Sequence, residues 1–163
     1  GTAALIPMDG FHFDDLYLGP AGLLPRKGAP ETFDVGGYAH MLRRVRAGDE
    51  SAVAVPVFDR AIEIARAGAR LIPAGVPIIL TEGNYLLLDR APWSDLAPLF
   101  DLTIFLDVPE AELERRLIRR WRDHGHDSAV AEAKAMGNDI PNARLVATAS
   151  RAADITLTQE VQP

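Results

Sequence analysis

Cysteine is missing from all 163 residues, so a disulfide framework, thiol catalysis and thiolate metal sites are excluded together. No apolar stretch approaches the ~20 residues of a membrane span. An excess of basic charge is also missing: 17 Lys+Arg stand against 23 Asp+Glu, a formal charge of −6. Broad nucleic-acid binding needs a net basic face and loses ground. The opening residues Gly1 to Asp9 have no initiator methionine and no basic region before the apolar stretch. The expectation is that they are no signal peptide but a chain entered partway through a strand. What is present is ordinary: 48% hydrophobic and 25% charged residues exclude disorder, a coiled coil and a collagen-like chain. A mass of 17.7 kDa is one domain's worth of core. The expectation is a cytoplasmic, single-domain protein of residues 1–163 with small-molecule partners, no nucleic acid and no membrane.

Four short apolar runs read as strands: 3–6, 76–81, 102–106 and 154–158. The central two are apolar without period-two alternation, as expected of parallel strands covered on both faces. Helical periodicity places Tyr38, Met41, Leu42 and Val45 on one stripe of a helix over 35–47, stopped by Gly48. Leu113, Leu117, Ile118 and Trp121 mark a second helix over 110–124, stopped by Gly125. Ser128 reads as the N-cap of a third, over 128–136, with Gly137 as its stop. A fourth starts at Asp139, with Pro141 in its first turn, and runs to about Ala149. Strand–helix alternation predicts an α/β fold with a mainly parallel sheet flanked by helices. Residues 15–32, rich in glycine and proline, form a long irregular loop of the kind that often carries function.

Ligands of parallel α/β sheets bind beyond the carboxyl ends of the strands. Asp9, Glu82 and Asp107 stand there. Two such carboxylates can divide two jobs, one accepting a proton and the other holding a hard cation through oxygen. Acids at strand tips also occur simply where a chain emerges into water, and both readings stay open. Gly10 and Gly83 follow two of these acids and either let a ligand approach the main chain or serve a turn. The helix from Glu110 carries Arg115, Arg116, Arg119, Arg120 and Arg122. Arg116, Arg119 and Arg120 share a face and could clamp phosphate oxygens. A solvated helix with Glu112 paired to Arg116 explains the same charges. The four histidines form no metal-ligand spacing, and no serine sits in a G-x-S-x-G elbow.

Several segments, in order along the chain, resemble the uridine kinase, pantothenate kinase and phosphoribulokinase group of P-loop kinases. The nearest likeness is to its bacterial nucleoside/nucleotide kinase-like and fructose transport system kinase-like branch. The segments are Pro7-Met8-Asp9-Gly10-Phe11-His12, Leu24 to Asp34, Val55-Pro56-Val57-Phe58-Asp59-Arg60, Thr81-Glu82-Gly83-Asn84-Tyr85, Arg116-Leu117-Ile118-Arg119-Arg120, and Gly137 to Ala143. The resemblance implies a P-loop NTPase-like fold with a helical lid at about 110–137. It implies an ATP-dependent, Mg2+-assisted transfer of the γ-phosphoryl group to a hydroxyl of a nucleoside, sugar or pantothenate-like metabolite. Asp9 matches the general base, and Glu82 matches the acid that orients Mg2+, directly or through water. Arg116 and Arg119 match catalytic lid arginines, a role that suits phosphoryl transfer because it consists mostly of positioning and charge neutralisation. His12, Asp34, Phe58, Arg60 and Tyr85 match the acceptor side, and Arg120, Asn138 and Asn142 the nucleotide side. A homodimer is compatible with the group.

Three departures matter. Glu63 stands where uridine kinases place a base-contacting histidine, and His124 and His126 replace further lid arginines. The phosphate loop G-x-x-x-x-G-K-[S/T] occurs nowhere in the 163 residues. The expectation is therefore a stretch lacking the strand–loop–helix unit of roughly 35 to 50 residues that precedes Gly1 in the family. Such a stretch would be inactive alone and would leave two buried strands without a hydrogen-bonding partner. The alternative is a non-catalytic kinase-like binding or regulatory module. A hydrolase with Asp9 and Glu82 as its acid pair is a third, weaker reading.

Overall fold

The apolar run that opens the chain forms strand β1 (Ala3–Pro7), and the second run forms β4 (Ile78–Glu82). They pair in parallel, with Ala3 opposite Ile78 and Pro7 opposite Glu82. This computed structural model describes residues 2–159, so Gly1 and residues 160–163 lie outside it. The described chain divides into two compact units, one running to Leu86 with Arg90–Leu99 added, the other Leu87–Asp89 with the residues from Phe100 on.

In the first unit β1 leads through a 3-10 turn, Met8–Phe11, into the short helix α1 (Asp15–Leu18). The glycine- and proline-rich stretch after it holds two more 3-10 turns, Leu24–Arg26 and Pro30–Thr32. Helix α2 (Val35–Ala47) follows, capped by the Asp34 carboxylate on the Gly37 N–H at 2.8 Å and ended by Gly48 at φ 64°. Then come β2 (Ala52–Asp59) and β3 (Ile64–Pro73), an antiparallel hairpin that the sequence reading did not anticipate. Pro56 interrupts the β2 pattern at a register shift between Val55 and Val57, and β3 is rich in alanine, glycine and arginine. Proline at a bulge and weak strand formers hide a strand from periodicity. The core holds Ile6, Met8, Leu18, Tyr38, Val55, Tyr85, Trp93 and Leu96, all nearly or wholly buried.

The second unit holds β5 (Ile104–Asp107) and β6 (Ile155–Thr158), again a parallel pair. Between them run α3 (Glu110–Asp123), α4 (Ser128–Lys134) and α5 (Ile140–Ala149). Two expectations are corrected here. Asp127, not Ser128, caps α4, its carboxylate accepting from the Val130 N–H at 2.9 Å. Gly137 stops nothing: a π-turn over Ala135–Asp139 carries the chain from α4 into α5. Asp139 has helical dihedrals, and its side chain makes no cap hydrogen bond.

The fold is α/β, with parallel strand pairs flanked by helices. The expectation that the central strands are covered on both faces fails. Ile78 and Leu80 are 53% and 55% exposed, and Ile104 and Leu106 are 51% and 60% exposed, whereas Ile6 on the opposite face of β1 is fully buried. Each pair thus has one open apolar face among the described residues. None of the described helices is long and apolar enough to cross a membrane.

Candidate active site

The parallel register of β1 and β4 sets Pro7 beside Glu82, so Asp9 and Glu82 emerge at the same end of the pair. This is where α/β folds bind ligands. Burial raises the Glu82 pKa, the Asp9 charge raises it further, and Arg60 opposes both. Among the described residues no group donates a hydrogen bond to Glu82 that would offset this.

Gly10 and Gly83 owe their identity to packing. A Cβ on Gly10 would stand 2.5 Å from the Pro56 carbonyl oxygen, and one on Gly83 would stand 2.5 Å from the Met8 Cβ. Neither has a positive φ. Gly10 lets β2 close on the turn after β1, which carries Phe58 and Arg60 toward Asp9, and Gly83 lets the end of β4 close on Met8. The Arg60 guanidinium pairs with the Asp9 carboxylate and lies 4.9 Å from the centre of the Phe58 ring. Asp59 is committed elsewhere, accepting from the Arg66 Nε at 2.7 Å.

His12 sits between Phe33 and Phe58, with ring centres 4.0 and 4.7 Å away. Its Nδ1 donates to the Asp9 carbonyl at 2.8 Å. Burial lowers its pKa, which the Asp9 backbone and charge only partly oppose. A neutral imidazole at this position donates a hydrogen bond and adds no charge.

Lys27 completes the group and was missed as a site residue. Its ammonium is bound by the Asp15 carboxylate at 2.6 Å and by the Glu63 carbonyl, and it lies 5.7 Å from the Phe58 ring centre. The loop behind it is fixed by Thr32, whose hydroxyl donates to Ala29 O at 2.7 Å and accepts from the Gly28 N–H at 3.0 Å. Tyr85 is fully buried and donates to Gly28 O at 2.7 Å, so it holds this loop from the core. The signal available in the sequence was a lysine inside the glycine- and proline-rich loop.

The first unit therefore gathers Asp9, His12, Phe58, Arg60 and Glu82, with Lys27 and Phe33. Asp34 stands apart from this group in its bonding: its carboxylate caps α2. Arg116, Arg119, Arg120, Asn138 and Asn142 belong to the second unit. There Glu112 accepts two hydrogen bonds from Arg115 at 2.8 and 2.7 Å and one from Arg116 at 2.6 Å. Arg116 also donates to Gln159 at 2.6 Å. Arg119 is highly exposed and pairs loosely with Asp123 at 3.7 Å. Arg120 and the Trp121 indole both donate to Asp139, at 3.0 and 2.7 Å. The Asn142 amide donates to Asn138 at 3.3 Å.

No protein-family model matches the chain. Among solved structures, it is 47% identical to a candidate fructose transport system kinase of Silicibacter sp. TM1040, with a TM-score of 0.91 over 95% of this chain and 74% of that one. The uncharacterised protein YggC of Escherichia coli is 40% identical over 92% of this chain. The ATP-dependent kinase-like protein notR' of Aspergillus versicolor is 35% identical over 83% of this chain and 84% of its own length. Other relatives carry the names uridine kinase and pantothenate kinase. The chain spans 61% of the length of YggC and 37% of the length of a pantothenate kinase of Streptomyces avermitilis.

Proposed function

This chain belongs to the group of P-loop kinases that takes in uridine kinase and pantothenate kinase, and from that membership we propose that it carries the acceptor side of an ATP-dependent small-metabolite kinase. The observation that supports this most is the convergence of Asp9 and Glu82 at the carboxyl ends of two paired parallel strands. Asp9 serves as the general base. The acceptor hydroxyl oxygen forms a bond to the γ-phosphorus of ATP as the bond to the bridging oxygen breaks. ADP departs and the hydroxyl proton passes to Asp9.

Glu82 suits a magnesium ion. It is an oxygen donor at the end of β4 whose negative charge no hydrogen bond among the described residues offsets, and a nearby cation would relieve that cost. No group of three or more metal-binding side chains exists among the described residues. That agrees with an ion taking most of its ligands from water and phosphate, held by Glu82 directly or through water. When bound, magnesium neutralises charge on the phosphate oxygens. His12, Phe58 and Arg60 line the acceptor position, while Tyr85 positions the loop bearing Lys27. Asp34 acts by capping α2, the helix that follows this loop. For Arg116 and Arg119 the family pattern implies a role toward the transferring phosphates, and for Arg120, Asn138 and Asn142 a role toward the nucleotide.

The test is ATP consumption by the full-length protein with a panel of nucleosides, sugars and pantothenate. Asp9→Asn is expected to lower kcat by about 100-fold or more, the usual contribution of a positioned base, with little change in KM for ATP. Undiminished turnover in that variant would remove Asp9 from its role. Absence of transfer to any acceptor would favour the non-catalytic module.

A further inference from the structure

Two cations share one aromatic ring beside the proposed base. Lys27 is 17% exposed, and its loop is pinned by Thr32 and Tyr85. Arg60 is 66% exposed and comes from the tip of the β2–β3 hairpin. Their charged groups lie 5.7 and 4.9 Å from the Phe58 ring centre. Both are close enough to His12 to depress its protonation. Their present partners differ in kind. Lys27 is neutralised by Asp15, a carboxylate outside the catalytic pair. Arg60 is neutralised by Asp9 itself, while its neighbour Asp59 is taken by Arg66.

A guanidinium bonded to the base carboxylate occupies an oxygen that must receive the hydroxyl proton. An ion pair with so exposed a partner adds little stability and exchanges readily for a better one. A planar guanidinium backed by an aromatic face is suited to carboxylate or phosphate oxygens. Resting on the kinase reading above, we propose that Arg60 selects acceptors carrying an acidic group beside the hydroxyl, and that it passes from Asp9 to that group as the acceptor binds. The acceptor class is then a hydroxylated acid or a phosphorylated sugar, not a neutral nucleoside. Lys27 stands on the same side, held in its ion pair with Asp15. Asp9 and Glu82 repel the anion from theirs, which orients the hydroxyl toward the base.

The experiment is titration calorimetry of the full-length protein, without ATP, against matched probes: pantothenate with pantothenol, and ribose 5-phosphate with ribose. The acidic member of one pair is expected to bind about 10-fold tighter or more, the scale of one charge-assisted hydrogen bond. The pair with the larger ratio distinguishes carboxylate from phosphate. Arg60→Gln should reduce that ratio to within about two-fold and Arg60→Lys should keep part of it, because a point charge replaces a fork. Arg70→Gln, on the same hairpin and bonded only to the Leu5 carbonyl among the described residues, should leave the ratio unchanged and controls for folding. Ratios near one in the unaltered protein, or a ratio that survives Arg60→Gln, would overturn the inference. Selective binding without phosphoryl transfer would sink the kinase reading and leave the anion site standing. Transfer to acidic and neutral acceptors alike would do the reverse.

Discussion

Burial and the nearby Asp9 carboxylate both disfavour ionised Glu82, so its folded pKa lies above the ordinary 4.5. As pH rises from that value, the unfolded chain releases the proton first and the native state loses stability. The loss is complete above the folded pKa and absent well below 4.5. Glu82→Gln is therefore expected to raise Tm at pH 7 and to lose that advantage near pH 4. Thermal scans at both values check this, and equal Tm at pH 7 would contradict it. Such a gain in stability alongside lost turnover would mark Glu82 as a residue kept for chemistry. The sequence showed Asp9 and Glu82 directly, because acids at strand ends follow from strand assignment alone. It left Gly10 and Gly83 open between ligand approach and turn. Gly10 lies in the 3-10 turn after β1, and what its missing Cβ admits there is Pro56, whereas Gly83 admits Met8.

At the scale of elements, α3 shows how a cluster of charge can read two ways. Glu112 is only 6% exposed and receives both Arg115 and Arg116, so the solvated-helix reading and its Glu112–Arg116 pair hold for this part of the cluster. The Arg115 fork, helped by Arg116, pulls the Glu112 pKa down to about 2 from 4.5. A carboxylate lowered in this way stabilises the fold above pH 4.5, and that stabilisation disappears as pH falls toward about 2. Glu112→Gln should lower the stability of the second unit at pH 7 and flatten its dependence on pH across that window. Acid titration followed by Trp121 fluorescence measures it, and an unchanged acid slope would refute it. The boundaries of α2 and α3 were legible because caps and periodicity are local, while the join of α4 to α5 was not, because a π-turn carries the helix through Gly137. The β2–β3 hairpin was not, because its partner strand lies across a bulge at Pro56 and is poor in β-branched residues.

Over the whole molecule, each unit has its own buried side chains and its own tryptophan, Trp93 in the first and Trp121 in the second. Ile6 and Ile140 are both wholly buried. Ile6→Ala and Ile140→Ala are each expected to cost about 2–5 kcal/mol, the range for large-to-small changes in close-packed cores. Single-tryptophan variants in urea would read the first through Trp93 and the second through Trp121. Leu80→Ala, on the open face of β4 at 55% exposure, should cost about 1 kcal/mol or less. A cost for Leu80→Ala equal to that for Ile6→Ala would show that this face is covered in solution.

Composition and local pattern alone determined the α/β class, four of the six strands among the described residues, the main helices and the acids at the strand ends. These depend on short-range periodicity, capping and the absence of cysteine. Tertiary structure decided which faces of the strands stay open and that Arg60 meets Asp9, 51 residues away. It also decided that Lys27 meets Glu63, 36 residues on. Such pairings depend on the register of a hairpin and the closure of a loop, and no local pattern encodes either.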